Sequence, residues 1–198
     1  MRMVLSLQEK QQKWLEYQEE SSSKAWVSLT PVYSRKPLKN SNLTSGMHDI
    51  VISDTSCFIV LDKINRLDIL RNVYDHVFTK PEIIKEFGKS LPEWIVVSKV
   101  MDTKFQVSLE SFLGKGESSA IALAREIKNS ILLIDEKKGR KIALENGIIV
   151  TGTPGVILKA KQSGHIPLIL PLLEELKIIG FYIGKEIETR MLMDAGEL

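Results

Sequence analysis

The 198-residue sequence has one cysteine, Cys57, and three histidines. A single thiol excludes an internal disulfide framework and any cysteine-rich zinc site, and it fits a reducing compartment such as the cytoplasm. His48, His76 and His165 have neither metal-ligand spacing nor a nucleophile beside them. No apolar run reaches the ~18–20 residues that span a bilayer, so no membrane partner is expected. The first residues lack a compact apolar segment followed by a small-residue cleavage site, which argues against secretion. There is no G-x-S-x-G elbow for a serine hydrolase. Gly114-Lys115-Gly116 opens like a dinucleotide fingerprint, but Ser119 takes the third glycine position and a helix precedes it. Gly147 to Gly152 has P-loop spacing, with Thr153-Pro154 where a Lys-Ser/Thr pair is needed.

What is present is the composition of a folded protein: 43% hydrophobic and 26% charged residues. The net charge of +2 divides unevenly. Residues 1–46 hold seven Lys/Arg against four Glu, and residues 47–198 hold twenty basic against twenty-one acidic residues. The second part is close to neutral, so a nucleic-acid reading has to rest on local sites. Residues 1–46 read as an extension: a polar helix-favouring stretch from Gln8 to Glu20, then a Ser/Asn/Pro-rich linker from Thr30 to Gly46. It is either a flexible or partner-binding arm or an upstream start-site artefact, with residues 47–198 forming the domain.

From Ile50 the pattern becomes regular. Ile50-Val51-Ile52 is a short apolar run ending at Ser53-Asp54, as a buried parallel strand does. Phe58 to Lys63 and Leu67 to Tyr74 have helical spacing, Val77 to Thr79 is a second strand, and Pro81 opens a helix through Phe87. Trp94 to Val100 reads as an edge strand. Phe105 to Leu113 and Ser118 to Lys128 read as a helix pair broken at Gly114-Lys115-Gly116. Ile131 to Ile134 is a strand ending at Asp135, and Glu136 to Glu145 is a helix stopped by Asn146-Gly147. Ile148 to Val150 is a further strand. Thr153-Pro154 starts a helix with a hydroxyl cap, and helices at Leu168 to Ile179 and Lys185 to Ala195 follow. Short strands alternating with helices predict an α/β fold, a parallel sheet covered on both faces. Function in such sheets sits beyond the carboxyl ends of the strands.

The acids fall there. Asp54 and Asp135 each end a strand, Glu86 lies on the helix after the second strand, and Glu117 stands at a helix start. Carboxylates brought that close repel and raise one another's pKa. A hard divalent cation relieves the repulsion, and an oxygen-only donor set favours Mg²⁺ or Mn²⁺. Each acid also has a plain alternative: a helix N-cap for Asp54 and Asp135, a solvated surface charge for Glu86, a partner for the helix dipole for Glu117.

The words around these acids carry a resemblance. Val51-Ile52-Ser53-Asp54-Thr55-Ser56, Pro81-Glu82-Ile83-Ile84-Lys85-Glu86, Gly116-Glu117-Ser118-Ser119-Ala120 and Leu133-Ile134-Asp135-Glu136 with Gly139-Arg140 and Ala143 resemble the acidic segments of PIN-domain nucleases. Thr151-Gly152-Thr153-Pro154-Gly155-Val156 and the closing Ala195-Gly196-Glu197 are similar to a bacterial and archaeal subgroup described mainly as nucleic-acid-binding PIN domains of unknown function. The resemblance covers about residues 49 to 198. It implies a three-layer PIN-like fold and a metal-dependent endoribonuclease acting on RNA, often the toxin of a toxin–antitoxin pair, with a cognate antitoxin protein as partner. It implies that Asp54, Glu86, Glu117 and Asp135 bind Mg²⁺ or Mn²⁺ and that Ser56 orients a ligand or water beside Asp54. The proline-rich turn departs from the acid–hydroxyl segment of well-studied toxins, and no fifth acidic ligand is evident. The competing expectations are a catalytically inactive nucleic-acid- or protein-binding module and a DNA flap-type nuclease.

Five secondary expectations complete the reading. Arg140, with Lys137 and Lys138, is placed to hold a nucleic-acid backbone, or else is a solvated face. Gly139 inside a helix costs ~1 kcal/mol against alanine, which a close backbone approach would explain. The amides from Thr153 to Val156 offer a phosphate site, or a simple cap. Cys57 reads as a buried apolar residue. Ile183, Ile187 and Met191 form an apolar stripe that packs internally or, alternatively, seams a homodimer.

Overall fold

The computed structural model describes residues 50–198. The expectations for residues 1–46, and for Met47 as the start of the domain, lie outside the described residues. Those described fall into two compact units, residues 50–167 and residues 168–198.

The first unit holds a five-stranded, wholly parallel sheet: β1 (Ile50–Ser53), β2 (His76–Thr79), β3 (Ile95–Val97), β4 (Ser130–Leu133) and β5 (Ile149–Thr151), in the order β3-β2-β1-β4-β5. Seven helices connect and follow the strands: α1 (Thr55–Lys63), α2 (Asp68–Val73), α3 (Pro81–Phe87), α4 (Thr103–Leu109), α5 (Lys115–Glu126), α6 (Lys137–Glu145) and α7 (Thr153–Gln162). The chain steps outward from β1 to β3, crosses back to β4 and then steps the other way to β5. Right-handed crossovers running in opposite directions place helices on opposite faces. Accordingly α1, α2 and α7 pack together, while α4 and α6 pack against α5 and α5 lies on β1 and β4. This is a three-layer α/β fold.

Alternation along the strands explains the layers. Ile52, Leu132, Ile134 and Val150 face a core shared with Leu109, Ile121, Leu123 and Ala143. The intervening Val51 and Leu133 are also buried, which is why these strands read as continuous apolar runs rather than an alternating pattern. Only β3 presents two exposed valines, Val96 and Val97, as befits the edge position that its sequence suggested. The ordered strand is shorter than Trp94 to Val100.

The strand order reverses between β1 and β4, whose register pairs Ser53 with Leu133. The Asp54 amide extends that pairing by donating to the Leu133 carbonyl at 3.0 Å. Asp54 and Asp135 therefore leave neighbouring strands at the same edge, at the switch point where parallel sheets open for ligands.

Two local expectations need correcting. The helix pair is broken as expected, but the break ends at Gly114, the N-cap of α5, and Lys115, Gly116 and Glu117 already form the first turn of α5. Gly152, not Thr153, is the N-cap of α7, because the Thr153 hydroxyl is drawn elsewhere.

The second unit contains α8 (Leu170–Ile178) and α9 (Lys185–Asp194). Glu197 closes it by accepting from the Ile169 and Leu170 amides at 2.7 and 3.0 Å, satisfying donors that the start of α8 leaves open. Ile183 and Met191 are buried and Ile187 is half-buried. Among the described residues no helix is long and apolar enough to cross a membrane.

Candidate active site

The site is organised by four consecutive residues at the β1–α1 junction. Asp54 is the extended N-cap of α1 but makes no side-chain cap bond. Its carboxylate instead accepts from the Ser56 hydroxyl, at 2.8 Å on Oδ2. Thr55, at the first helical position, donates its hydroxyl to Glu86 Oε2 at 3.1 Å. Cys57 donates its thiol to Asp135 Oδ2 at 3.1 Å. Thr55, Ser56 and Cys57 thus each hold a different acid, from α3, from β1 and from the end of β4.

Asp135 is the most constrained of the four. The Thr153 amide donates to Oδ1 at 2.8 Å and the Thr153 hydroxyl to Oδ2 at 2.6 Å. A carboxylate at the start of α7 also satisfies that helix's dipole, so the first of the amides expected to offer a phosphate site, that of Thr153, receives a side chain of the protein itself. Thr153 is fully buried, and its role in the structure is to orient Asp135. One residue upstream, the Ile134 carbonyl accepts from the Arg140 guanidinium at 2.8 Å. Arg140 is 7% exposed, so the structure places it beneath the end of β4 as a clamp, not on a surface where a polymer backbone would lie. Lys138 is exposed and Lys137 half-buried.

Gly116 brings the remaining acids together. A Cβ there would stand 3.2 Å from Glu86 Oε2 and 3.5 Å from Asp54 Oδ1. Those two carboxylates are therefore neighbours, and the α5 backbone lies against both. Glu117 follows at the third helical position and accepts from the Gly114 amide at 2.9 Å, half of a capping box. Gly139 shows the close approach expected of it: a Cβ would meet Ile134 Cδ1 at 2.5 Å, which keeps α6 tight on the end of β4. Glu136, the N-cap of α6, accepts from the Gly139 amide.

Electrostatics follow from this crowding. Burial raises the Asp54 pKa, Glu86 raises it further, and bonds from Ser56 and the Thr55 amide pull it back. Glu117 is pushed up to about 7, first by burial and then by the charge of Asp54, with Glu136 and Glu86 adding to it against the Gly114 bond. The Cys57 thiol is pushed well above its ordinary range by burial and by the charges of Asp135 and Asp54. It is a neutral hydrogen-bond donor, not a thiolate nucleophile.

Several of these residues escaped the sequence reading. Cys57 reads as apolar until its sulfur is seen beside Asp135. Glu136 adds a further negative charge beside Glu117, and its place next to Asp135 was the signal for it. Lys80, immediately after β2, is fully buried, and its Nζ has no hydrogen-bond partner. Burial lowers its pKa to about 7, against the opposing pull of Glu82, Glu126 and Asp54. Ser118 carries a buried hydroxyl without a partner one residue past Glu117.

The rim suits a hard divalent cation. Asp54 and Glu117 resist ionisation because they are buried and also face other carboxylates, their donors are all oxygen, and glycine at 116 keeps the space beside Glu86 and Asp54 free of a side chain. Among the described residues no three His, Cys, Asp or Glu side chains stand in a ready-made chelating group, so binding would require the acids to close in.

A family model described as a PIN domain matches residues 50–197. The chain belongs to the PIN-domain family. PIN domains are generally nucleases, hydrolases that typically use divalent metals, and this domain carries Asp54 and Asp135 at the switch point of its sheet, with Glu86 and Glu117 on helices whose charges act on the same rim. No curated protein and no solved structure matches the chain.

Proposed function

We propose that this PIN domain is a metal-dependent endoribonuclease that hydrolyses RNA phosphodiester bonds, with Asp54, Glu86, Glu117 and Asp135 holding Mg²⁺ or Mn²⁺. The observation that carries the reading is the β1–α1 junction, where three successive side-chain donors orient acids arriving from three separate elements. A surface charge or an incidental cap does not require such an arrangement. A bound divalent ion would supply positive charge to a phosphodiester's oxygens and make water easier to deprotonate. The chain's own groups do the rest. Ser56 fixes the orientation of Asp54, while Thr153 and Cys57 fix that of Asp135. Glu117, pushed up to about 7 by burial and neighbouring charge, gives up its proton to hold the ion, so metal binding strengthens as pH rises through that value.

Arg140 acts in this account by anchoring the end of β4, so contacts to the RNA backbone fall to more exposed groups such as Lys138. A toxin role with a cognate antitoxin, in the cytoplasm, is the biological setting that the family resemblance suggests. One observation favours a second reading. Both oxygens of Asp135 are engaged by neighbouring donors, as suits a catalytically silent module that keeps the fold to bind RNA or a protein. Cleavage assays on an RNA pool and on branched DNA, with Mn²⁺, Mg²⁺ or EDTA, separate the cases. RNA cutting supports the proposal, preference for branched DNA marks a flap-type nuclease, and metal binding without cutting marks the silent module.

A further inference from the structure

The mechanism leaves Lys80 unused, and its position is physically unusual. It ends β2, one strand away from Asp54, and begins the loop into α3, the helix that carries Glu86. Its side chain is fully buried and its amine has no hydrogen-bond partner. An isolated polar group in that state is strongly disfavoured, and an apolar residue of similar length would fill the space more favourably. Glu82, Glu126 and Asp54 are the charges that act on it. Arg140, the other buried basic side chain among the described residues, is held on a backbone carbonyl beyond Asp135's strand. Lys80 is therefore the cation buried on the Asp54 side of an otherwise acidic rim.

We infer that Lys80 is a resident positive charge of the site, a positioning residue that weakens the hold on a divalent ion. This rests on the reading of the rim as a divalent-metal site. The reason is like-charge repulsion: an ammonium buried one strand away from Asp54, near enough for that charge to act on it, repels an ion that Asp54 would hold, in a medium that screens poorly. The device keeps the ion exchangeable.

The test is Mn²⁺ binding to the full chain, followed by the loss of the free-ion paramagnetic resonance signal at pH 6.5, for wild type and Lys80→Met. Thermal melting in EDTA is run alongside. The variant is expected to bind Mn²⁺ about tenfold tighter and to melt no lower than wild type without metal, since it loses a buried amine that lacks a partner. A lysine with a merely structural role would move the melting temperature and leave Mn²⁺ affinity in place. If Lys80→Met does not fold, Lys80→Gln removes the same charge at similar length. Unchanged or weaker Mn²⁺ binding by a folded, charge-free variant would overturn the inference while leaving the metal site standing. Absence of Mn²⁺ binding in both proteins would overturn the metal reading and this inference with it.

Discussion

Replacing Glu117 by glutamine should make the metal-free protein more stable at pH 8, although Glu117 is a proposed ligand. The native carboxyl titrates near 7 against an ordinary 4.5 because it is buried and faces Asp54, Glu136 and Glu86. The sign follows from proton binding. Between those two values the native state binds more protons than the unfolded chain, so stability falls as pH rises through the window, and the full penalty is in place above pH 7. The shift corresponds to about 3 kcal/mol, and partial solvent exposure of Glu117 reduces this to roughly 2 kcal/mol. Glutamine keeps an oxygen for the Gly114 amide, so the half capping box survives. Urea unfolding in EDTA should therefore show Glu117→Gln more stable by about 2 kcal/mol at pH 8 and nearly equal to wild type at pH 4.5. Saturating Mn²⁺ should reverse the order, because only wild type gains from the ion. A variant that is less stable at pH 8 in EDTA, or equally stabilised at both pH values, would refute the claim that burial and carboxylate crowding strain this rim.

Two further outcomes follow from contacts. Gly116→Ala places a methyl 3.2 Å from Glu86 Oε2 and 3.5 Å from Asp54 Oδ1; Mn²⁺ affinity should fall by roughly tenfold with the fold kept, about 1.4 kcal/mol of lost binding, and isothermal titration reads it. Cys57→Ala removes a donor from Asp135 and should cost about 1–2 kcal/mol by denaturant unfolding, with Cys57→Ser recovering part of it. The native thiol should resist a thiol-reactive dye until the protein unfolds, and rapid labelling of folded protein would contradict its buried, neutral state.

Much of this architecture could be read from the chain because its strands are buried on both faces. Ile50 to Ile52 and Ile131 to Ile134 announce themselves as apolar runs, and their ends fix where Asp54 and Asp135 emerge. The apolar, β-branched run Trp94 to Val100 marks an edge strand, of which the structure forms Ile95–Val97. What failed were positions where tertiary partners override local preference. Two glycines beside Lys115 look like a helix break, yet Gly116 is there because Asp54 and Glu86 occupy the space that a side chain would need. Thr153 looks like a helix cap because its hydroxyl's real partner, Asp135, is 18 residues away in the chain. Arg140 looks like a phosphate ligand because sequence gives charge and not exposure. Lys80 was passed over for the same reason, since lysine is ordinarily a surface residue and nothing local marks one that is fully buried. Glu117 fits both of the roles open to it from the start, since it satisfies a helix-end amide and also joins the acidic rim.

The most direct test of the central claim is cleavage of a mixed RNA pool by the purified chain in Mn²⁺, Mg²⁺ or EDTA, beside Asp54→Asn. The account predicts cutting that needs the divalent ion, stops in EDTA and is lost in the folded variant. Cutting by Asp54→Asn at the wild-type rate, or equal cutting in EDTA, would contradict it.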